Sequence, residues 1–294
     1  MSIVRSVLRW LRGLFLGTQP PAPRGVKKLG LVVGVNDYPG TNQDLRGCVN
    51  DARVICQLAA DTYGFAVTAL YNKRATPRAV TTALRKLVSS LQAGDTGFWS
   101  VSSHGTYVAD RGQHDEVDGR DEALYLWGRD FKRSILVDDQ IRGILRGLKA
   151  GVHFFVVTDT CHSGTMTRAL HTLDTSVETP LAPRIKFVPP PRMQSEELAA
   201  PVTQRFACPE EGMTHVLLTG CSATEYSYDT VFGGQANGAA SHWLETILRT
   251  DPDITYNQMH RRLRARLPSP QCPQSPQLEG PAAMKATKVF GGVK

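Results

Sequence analysis

Residues 152–158 read VHFFVVT and run straight into Asp159-Thr160-Cys161-His162-Ser163-Gly164. A short, mostly apolar run rich in β-branched and aromatic residues, with no polar alternation, is the pattern of a strand buried on both faces. Strands of that kind belong to parallel sheets covered by helices, so this stretch already predicts an α/β fold. Outward from it the signal repeats. Leu29–Val35 (LGLVVGV) is a second buried run, Thr96–Val101 a third, Ala66–Tyr71 a fourth and Ala123–Trp127 a shorter one. Between the runs lie helical stripes. Leu45–Ala59 aligns Leu45, Cys48, Val49, Ala52, Ile55 and Ala59 on one face. Thr76-Pro77 is a cap with proline at the first helical position, followed by Val80, Ala83, Leu84, Leu87, Val88 and Leu91. Asp138 is expected to cap a helix carrying Ile141, Ile144, Leu145 and Leu148. Strands alternating with helices of this length predict βαβ units around a mostly parallel sheet.

The rhythm breaks over residues 168–212, rich in proline and charge and without a period. A loop of that length inside a compact domain is usually functional or disordered. Regular structure is expected again at His215–Thr219 (a strand), near Ala239–Arg249 and Tyr256–Leu267 (helices), and at a last short strand near Thr287–Phe290.

With 294 residues, 41% hydrophobic and 21% charged, the composition is that of an ordinary globular chain. No apolar run reaches the length of a membrane-spanning helix. Six cysteines in so long a chain, without a CxxC pair, argue against a disulfide scaffold or a structural zinc site. They read as free thiols of a reducing compartment, which points to the cytoplasm. The net charge of +7 is uneven: residues 1–28 hold six basic residues and no acid, leaving 28 bases against 27 acids in the body. A near-neutral body argues against nucleic-acid binding. The chain therefore divides into residues 1–24, a basic head, and residues 25–294, the folded body.

Within residues 2–16, Ile3, Val4, Val7, Leu8, Leu11, Leu14 and Phe15 recur at helical spacing, opposite Arg5, Arg9 and Arg12. A short amphipathic helix with a cationic face suits a membrane surface, or docking on a partner or on its own domain. Pro20, Pro21 and Pro23 end it. Arg9 and Arg12 interrupt the apolar stretch and argue against a signal peptide.

In open α/β sheets the reactive crevice lies beyond the carboxyl ends of the strands. Two ends carry reactive groups here: Ser102-Ser103-His104-Gly105 after one strand, Asp159-Thr160-Cys161-His162 after another. If the strands are neighbours, His104 and Cys161 face one crevice, the imidazole–thiol arrangement for acyl transfer, with backbone N–H groups of Gly105 and Cys161 placed for an oxyanion. Taken singly, a cysteine after a strand is a small buried hydrophobe and a His-Gly turn is incidental. Together they point to catalysis. His162 is the rival base, but a neighbour on a tight turn points away, which leaves it a structural or wall residue.

The segments GVNDYPG…LRGCVNDA, SSHGTYV, DEVDGRDEAL, ILVDDQI, FVVTDTCHSG and LLTGCSATEYSYD, in this order, resemble metacaspases, above all the type I and bacterial forms. The resemblance covers about residues 28–292. It implies a three-layer α/β/α sandwich of the caspase–haemoglobinase type and peptide cleavage by a thioester mechanism, with His104 as base and Cys161 as nucleophile. The family usually writes Ser-Gly-His-Gly where this chain has Ser-Ser-His-Gly.

By the same resemblance Asp51 and Asp159 match an acidic pocket for Arg or Lys, with Ser102 and Cys48 as its walls. Carboxylates facing a basic side chain form charge-assisted hydrogen bonds. On their own, Asp51 reads as a helix-dipole carboxylate and Asp159 as a turn residue. Many relatives are activated by Ca²⁺. Asp121, Asp138 and Asp139 match three of the ligands, while Arg168 stands where the fourth carboxylate is expected. The acidic run through Asp115, Glu116, Asp118, Asp121 and Glu122 reads equally as a solvated loop. Ala223-Thr224 replace an acidic pair of the family, while Ser227 and Asp229 are retained.

The loop at 168–212 lies where relatives process themselves, and Arg168, Arg184, Lys186, Arg192 and Arg205 are candidate cut positions. The chain is thus expected to be a monomeric cysteine endopeptidase acting on proteins or peptides with Arg or Lys before the cut. It needs no cofactor for the chemistry beyond possible calcium activation. Two other readings stand beside it: a non-catalytic caspase-like adaptor, and a membrane-active head that proteolysis releases.

Overall fold

The computed structural model describes residues 25–39, 42–109, 120–161, 182–191 and 212–293. The basic head, His162, Arg168, Arg192, Arg205, Asp115, Glu116 and Asp118 lie outside the described residues.

In chain order the elements are β1 (Lys28–Gly34), α1 (Cys48–Tyr63), β2 (Ala66–Tyr71), α2 (Pro77–Ser90) and β3 (Thr96–Ser102). Then come β4 (His104–Ala109), β5 (Arg120–Tyr125), β6 (Ile135–Val137), α3 (Asp138–Leu145), β7 (His153–Asp159) and β8 (Arg184–Ile185). Next come β9 (Val216–Thr219), β10 (Tyr228–Phe232), β11 (Gln235–Gly238), α4 (Ala239–Thr250), α5 (Tyr256–Arg264) and β12 (Gln277–Glu279), before a one-turn helix at Ala282–Lys285. A six-stranded sheet in the order β12-β9-β7-β3-β1-β2 forms the middle layer. Every neighbouring pair in it is parallel except β12 with β9.

Alternation along the strands divides the core. Leu31, Val33, Trp99, Val101, Phe154 and Val156 pack with Val80, Leu84 and Leu87 of α2 and Ile141 and Ile144 of α3. Val32, Phe98, Phe155 and Val157 face the other side, against Ile55 and Leu58 of α1, Leu244 and Ile247 of α4 and Met259 of α5. Both faces of the sheet are buried under helices, which is why its strands read as continuous apolar runs. The result is the three-layer α/β/α sandwich that the resemblance implies.

Four expectations are corrected. Helix α1 begins at Cys48, not at Leu45; Leu45 is buried, but its N–H is held by the Asn36 carbonyl at 2.9 Å in the preceding loop. Asp138 is not a cap: it is the first residue of α3, Val137 precedes it in extended conformation, and its Oδ1 accepts from the Asp139 N–H at 2.9 Å. Residues 289–291 form a 3₁₀ turn rather than a strand, because Phe290 is used as a core plug against Tyr63, Phe65, Phe98 and Phe155. The run at 123–127 does not join the central sheet; its first residues belong to β5, paired with β4 and β6 in a separate three-stranded sheet. Thr76, in contrast, caps α2 with Pro77 at the first helical position, as read.

Candidate active site

β3 and β7 are adjacent and parallel, in a register that sets Ser102 opposite Asp159. Their carboxyl ends therefore deliver His104 and Cys161 to the same end of the sheet. The approach is tight at Gly105, where a Cβ would lie 1.6 Å from the Cys161 carbonyl oxygen, so no side chain fits.

His104 is buried and held from two directions. Its backbone N–H donates to the Tyr38 hydroxyl at 2.9 Å, and the Tyr38 ring packs 4.8 Å from the imidazole. Its Nε2 lies 2.5 Å from the Gln43 carbonyl oxygen. A carbonyl only accepts, so Nε2 carries the proton and the lone pair of the neutral ring sits on Nδ1. Nδ1 has no hydrogen-bond partner among the described residues. Burial lowers the pKa of the ring to about 4, against the opposing pull of the Gln43 and Lys186 carbonyls.

Cys161 is also buried. Its Sγ accepts from the Ser227 N–H at 2.7 Å and donates to the Ser227 carbonyl at 3.2 Å. The Cys221 thiol lies against it and is pushed well up by its hydrogen bond to Cys161 and by burial. Among the described residues the cysteines are free thiols.

Asp51, Asp159 and Ser102 converge on one cation, and it comes from the chain itself. The Lys186 ammonium, wholly buried, lies 3.1 Å from Asp159 Oδ2 and 3.6 Å from Asp51 Oδ2. It donates to Ser102 Oγ at 2.9 Å and to the Asp159 carbonyl at 3.1 Å, while Ser102 Oγ donates to Asp51 Oδ2 at 2.7 Å. Cys48 is buried beside this group and its thiol is pushed well up, first by burial.

The two carboxylates differ in charge for a visible reason. Burial pushes Asp159 up, but it is outweighed by Lys186, by the Ser227 hydroxyl at 2.5 Å and by the Ser241 hydroxyl at 2.7 Å, leaving Asp159 below its ordinary value. Ser241 also offers its N–H at 3.1 Å from the first turn of α4, where helix N–H groups favour an anion. Asp51 is raised to about 7, first by burial and then by the Asp159 charge, against Lys186, Ser102 and Asn237. Lys186 stays charged: burial lowers it, but Asp159 foremost, then Cys48, Asp51 and Asp229, push it well above its ordinary range.

The backbone around Lys186 is held as firmly as its side chain. Its carbonyl accepts from Gly105 N at 2.9 Å and from Cys161 N at 3.4 Å, and its N–H donates to the Ser227 carbonyl at 3.0 Å. Upstream, β8 runs antiparallel to β10, with Ile185 opposite Tyr228. Downstream, the Val188 N–H donates to the Gly105 carbonyl at 3.0 Å. The unpatterned segment at 168–212 thus contributes an ordered piece, residues 182–191, laid across this end of the sheet.

Asp229, noted in the sequence as retained, accepts from Arg46 N at 2.5 Å and Gly47 N at 3.1 Å, fixing the entry to α1, which carries Cys48 and Asp51. Other supporting residues escaped the sequence reading. Asn237 Nδ2 and Gly238 N each reach Asp51 Oδ1 at 3.0 Å. At Gly238 a Cβ would stand 2.1 Å from Asp159 Oδ2 and 2.2 Å from Lys186 Nζ. Tyr38 lies in the quoted GVNDYPG segment, so a signal existed; the Gln43 carbonyl has none, because any residue type supplies it.

Of the residues matched to calcium ligands, Asp138 and Asp139 are engaged by a cation of the chain itself. The β5–β6 register puts Asp121 and Asp139 toward one end of the small sheet. Arg142, however, pairs with both Asp138, at 3.2 Å, and Asp139. Among the described residues no group of three or more His, Cys, Asp or Glu side chains stands ready for a metal ion. Nor is any helix among them long and apolar enough to cross a membrane.

The family model described as the caspase domain matches residues 27–286. The chain is 27% identical to Metacaspase-1 of Schizosaccharomyces pombe over 296 residues, covering 86% of this chain and 67% of that protein. It is 28% identical to Metacaspase-3 of Arabidopsis thaliana over 250 residues, covering 81% of this chain and 64% of the relative. The chain thus spans about two thirds of the length of these curated relatives. Among solved structures, a Geobacter sulfurreducens protein superposes with a TM-score of 0.67 at 26% identity, over 91% of this chain and all of that one. Caspase-1 from Spodoptera frugiperda shares the fold at 12% identity, with a TM-score of 0.53, over 94% of this chain and 98% of its own.

Proposed function

The chain belongs to the caspase domain family of cysteine-type peptidases, and on that premise we propose that it cuts peptide bonds after lysine or arginine, with Cys161 as nucleophile and His104 as general base. The observation that carries this reading is the placement of Lys186. A basic side chain lies between Asp159 and Asp51 while its own carbonyl accepts from the N–H groups of Gly105 and Cys161. A substrate whose basic residue enters that pocket brings its scissile carbonyl to the same two donors.

The chemistry follows from the donor pattern. The Cys161 thiol transfers its proton to His104 Nδ1, the ring atom left with a lone pair because Nε2–H is committed to the Gln43 carbonyl. Sγ attacks the carbonyl carbon, and charge developing on the oxygen meets the N–H groups of Gly105 and Cys161. The C–N bond breaks, the leaving amine takes the proton from His104, and water hydrolyses the thioester with His104 again as base. Arginine fits the pocket by offering a fork to two carboxylates, lysine by the point charge that Lys186 exemplifies. Arg142, paired with both Asp138 and Asp139, competes with calcium for these carboxylates, so activity without added calcium is expected.

The test is hydrolysis of fluorogenic peptides ending in Arg, Lys or Asp, with and without Ca²⁺, using Cys161→Ala as the blank. Cleavage after Arg and Lys, absent in the blank, is expected. Cleavage after Asp overturns the acidic pocket. A folded protein that cuts none of them, before or after self-processing, returns the weight to an adaptor.

A further inference from the structure

Phe187, the residue after Lys186, is buried between two tyrosines. Its ring lies 6.0 Å from that of Tyr107, nearly parallel at 24°, and 6.0 Å from that of Tyr226 at 54°. These three residues and Cys161 form an apolar cluster apart from the two main cores, with Ile185 and Tyr228 at its margin. The segment is therefore gripped on both sides of one peptide bond. Before the bond, Ile185 pairs with β10 and Lys186 fills the acidic pocket; after it, Phe187 fills an aromatic slot and Val188 hydrogen-bonds to Gly105.

Self-processing within this segment is what the family resemblance implies, and Lys186–Phe187 is the bond the site holds; resting on the reading above, we propose that Tyr107 and Tyr226 form the subsite for the residue on the leaving side of the cut, selecting a large aromatic side chain there. The neighbouring candidate does not compete. Arg184 reaches out to the Asp44 carbonyl at 2.5 Å, and the carbonyl on the Gly105 and Cys161 N–H groups is that of Lys186. In the intact chain the pocket is filled, so a second basic residue has no place to bind. The balance of the step is that of the trans reaction. Sγ joins the Lys186 carbonyl carbon, the bond to the Phe187 nitrogen breaks, and the Cys161 proton passes through His104 to that nitrogen. Water then replaces sulfur, leaving a Lys186 carboxylate and a free Phe187 amine.

The aromatic slot extends the consequence to other substrates. An offset-stacked ring contact adds to the burial of a large apolar surface, so loss of the ring is felt in the rate. A peptide reading Arg-Ile-Lys-Phe-Val reproduces residues 184–188 and should be a better substrate than the same peptide with glycine after lysine.

The experiment uses the full chain and Cys161→Ala, followed by intact mass and N-terminal sequencing. Expected are fragments ending at Lys186 and beginning Phe187-Val188-Pro189, absent in Cys161→Ala. Lys186→Arg should still be cut there, while Lys186→Gln, which keeps the length but not the charge, should be cut at least about a hundredfold more slowly. The processed enzyme should then favour the Phe peptide over the Gly peptide by about tenfold or more in kcat/KM, a ratio that collapses in Tyr107→Ala or Tyr226→Ala. Cutting at another bond, or an intact chain that nevertheless cleaves Lys peptides in trans, overturns the self-cleavage assignment and leaves the peptidase reading standing. Equal rates on the two peptides overturn the aromatic subsite. No cleavage in cis or in trans overturns the peptidase reading beneath both.

Discussion

Lys186→Met, made in the Cys161→Ala background so that no cut intervenes, removes a buried cation and leaves its anions behind. Methionine fills nearly the same volume, so a cavity contributes little and the cost is electrostatic. Breaking a buried ion pair by deleting one partner costs about 3–5 kcal/mol, because the remaining charge stays out of water. Here two carboxylates remain, Asp159 at 3.1 Å and Asp51 at 3.6 Å from the lost ammonium. The cheapest relief is to protonate Asp51, already raised to about 7 by burial with Lys186 in place.

The pH dependence follows in sign and size. A folded-state pKa above the unfolded one means that folding takes up a proton, so the contribution of Asp51 to stability is full below the unfolded carboxylate value and is lost as pH rises through about 7. Removing Lys186 raises Asp51 further, since the cation was the largest influence lowering it. In the variant, stability therefore keeps falling above pH 7, by about 1.4 kcal/mol per pH unit while Asp51 stays protonated. Expected losses are about 3 kcal/mol at pH 6 and about 5 kcal/mol at pH 8.5, the difference being about 2 kcal/mol. Urea denaturation at the two pH values, extrapolated linearly, measures both. Equal losses at the two pH values, or a variant more stable than its parent at pH 8.5, would refute the placement of Lys186 between ionisable partners.

Four further outcomes are expected. In the processed enzyme a basic side chain in the pocket holds Asp51 near 7 and an empty pocket leaves it higher, so KM for a Lys peptide should be flat below about pH 7 and fall above it; initial rates of Asp51→Asn across pH 6–9 should lack that limb. Tyr38→Phe deprives the buried His104 N–H of its acceptor at 2.9 Å, so thermal unfolding should show a loss of about 1–3 kcal/mol and kcat should drop with little change in KM. In Gly238→Ala the new methyl stands at 2.1 Å from Asp159 Oδ2, so mass spectrometry should find no cut at Lys186 while circular dichroism shows the fold retained. Because Arg142 engages Asp138 and Asp139, 1 mM Ca²⁺ should change the self-cleavage rate by less than about twofold; a larger stimulation would show that the arginine yields.

What was legible in the chain and what was not divides along a physical line. VHFFVVT and LGLVVGV announce a covered parallel sheet because burial on both faces leaves a local mark, and the α2 entry is readable because Thr76-Pro77 satisfies helix ends by chemistry confined to two residues. His104 and Cys161 could be proposed as facing each other only on the condition that their strands were neighbours, a condition the Ser102–Asp159 register meets. Phe290 and Asp138 were misread for the opposite reason, since local propensity pointed to a strand and a cap while packing and the Val137 backbone decided otherwise. Lys186 is the limiting case. Nothing within the proline-rich segment distinguishes it from Arg184, since its place is set by carboxylates 135 and 27 residues earlier, Asp51 and Asp159, and by the N–H of Gly105. A residue held as substrate obeys the rules of the site that holds it, not those of the segment that carries it. Its signature becomes readable only when the pocket is known: a basic side chain for the acids, then an aromatic one for Tyr107 and Tyr226. Within residues 182–191, where Arg184 is followed by isoleucine, Lys186-Phe187 is the sole pair of that kind.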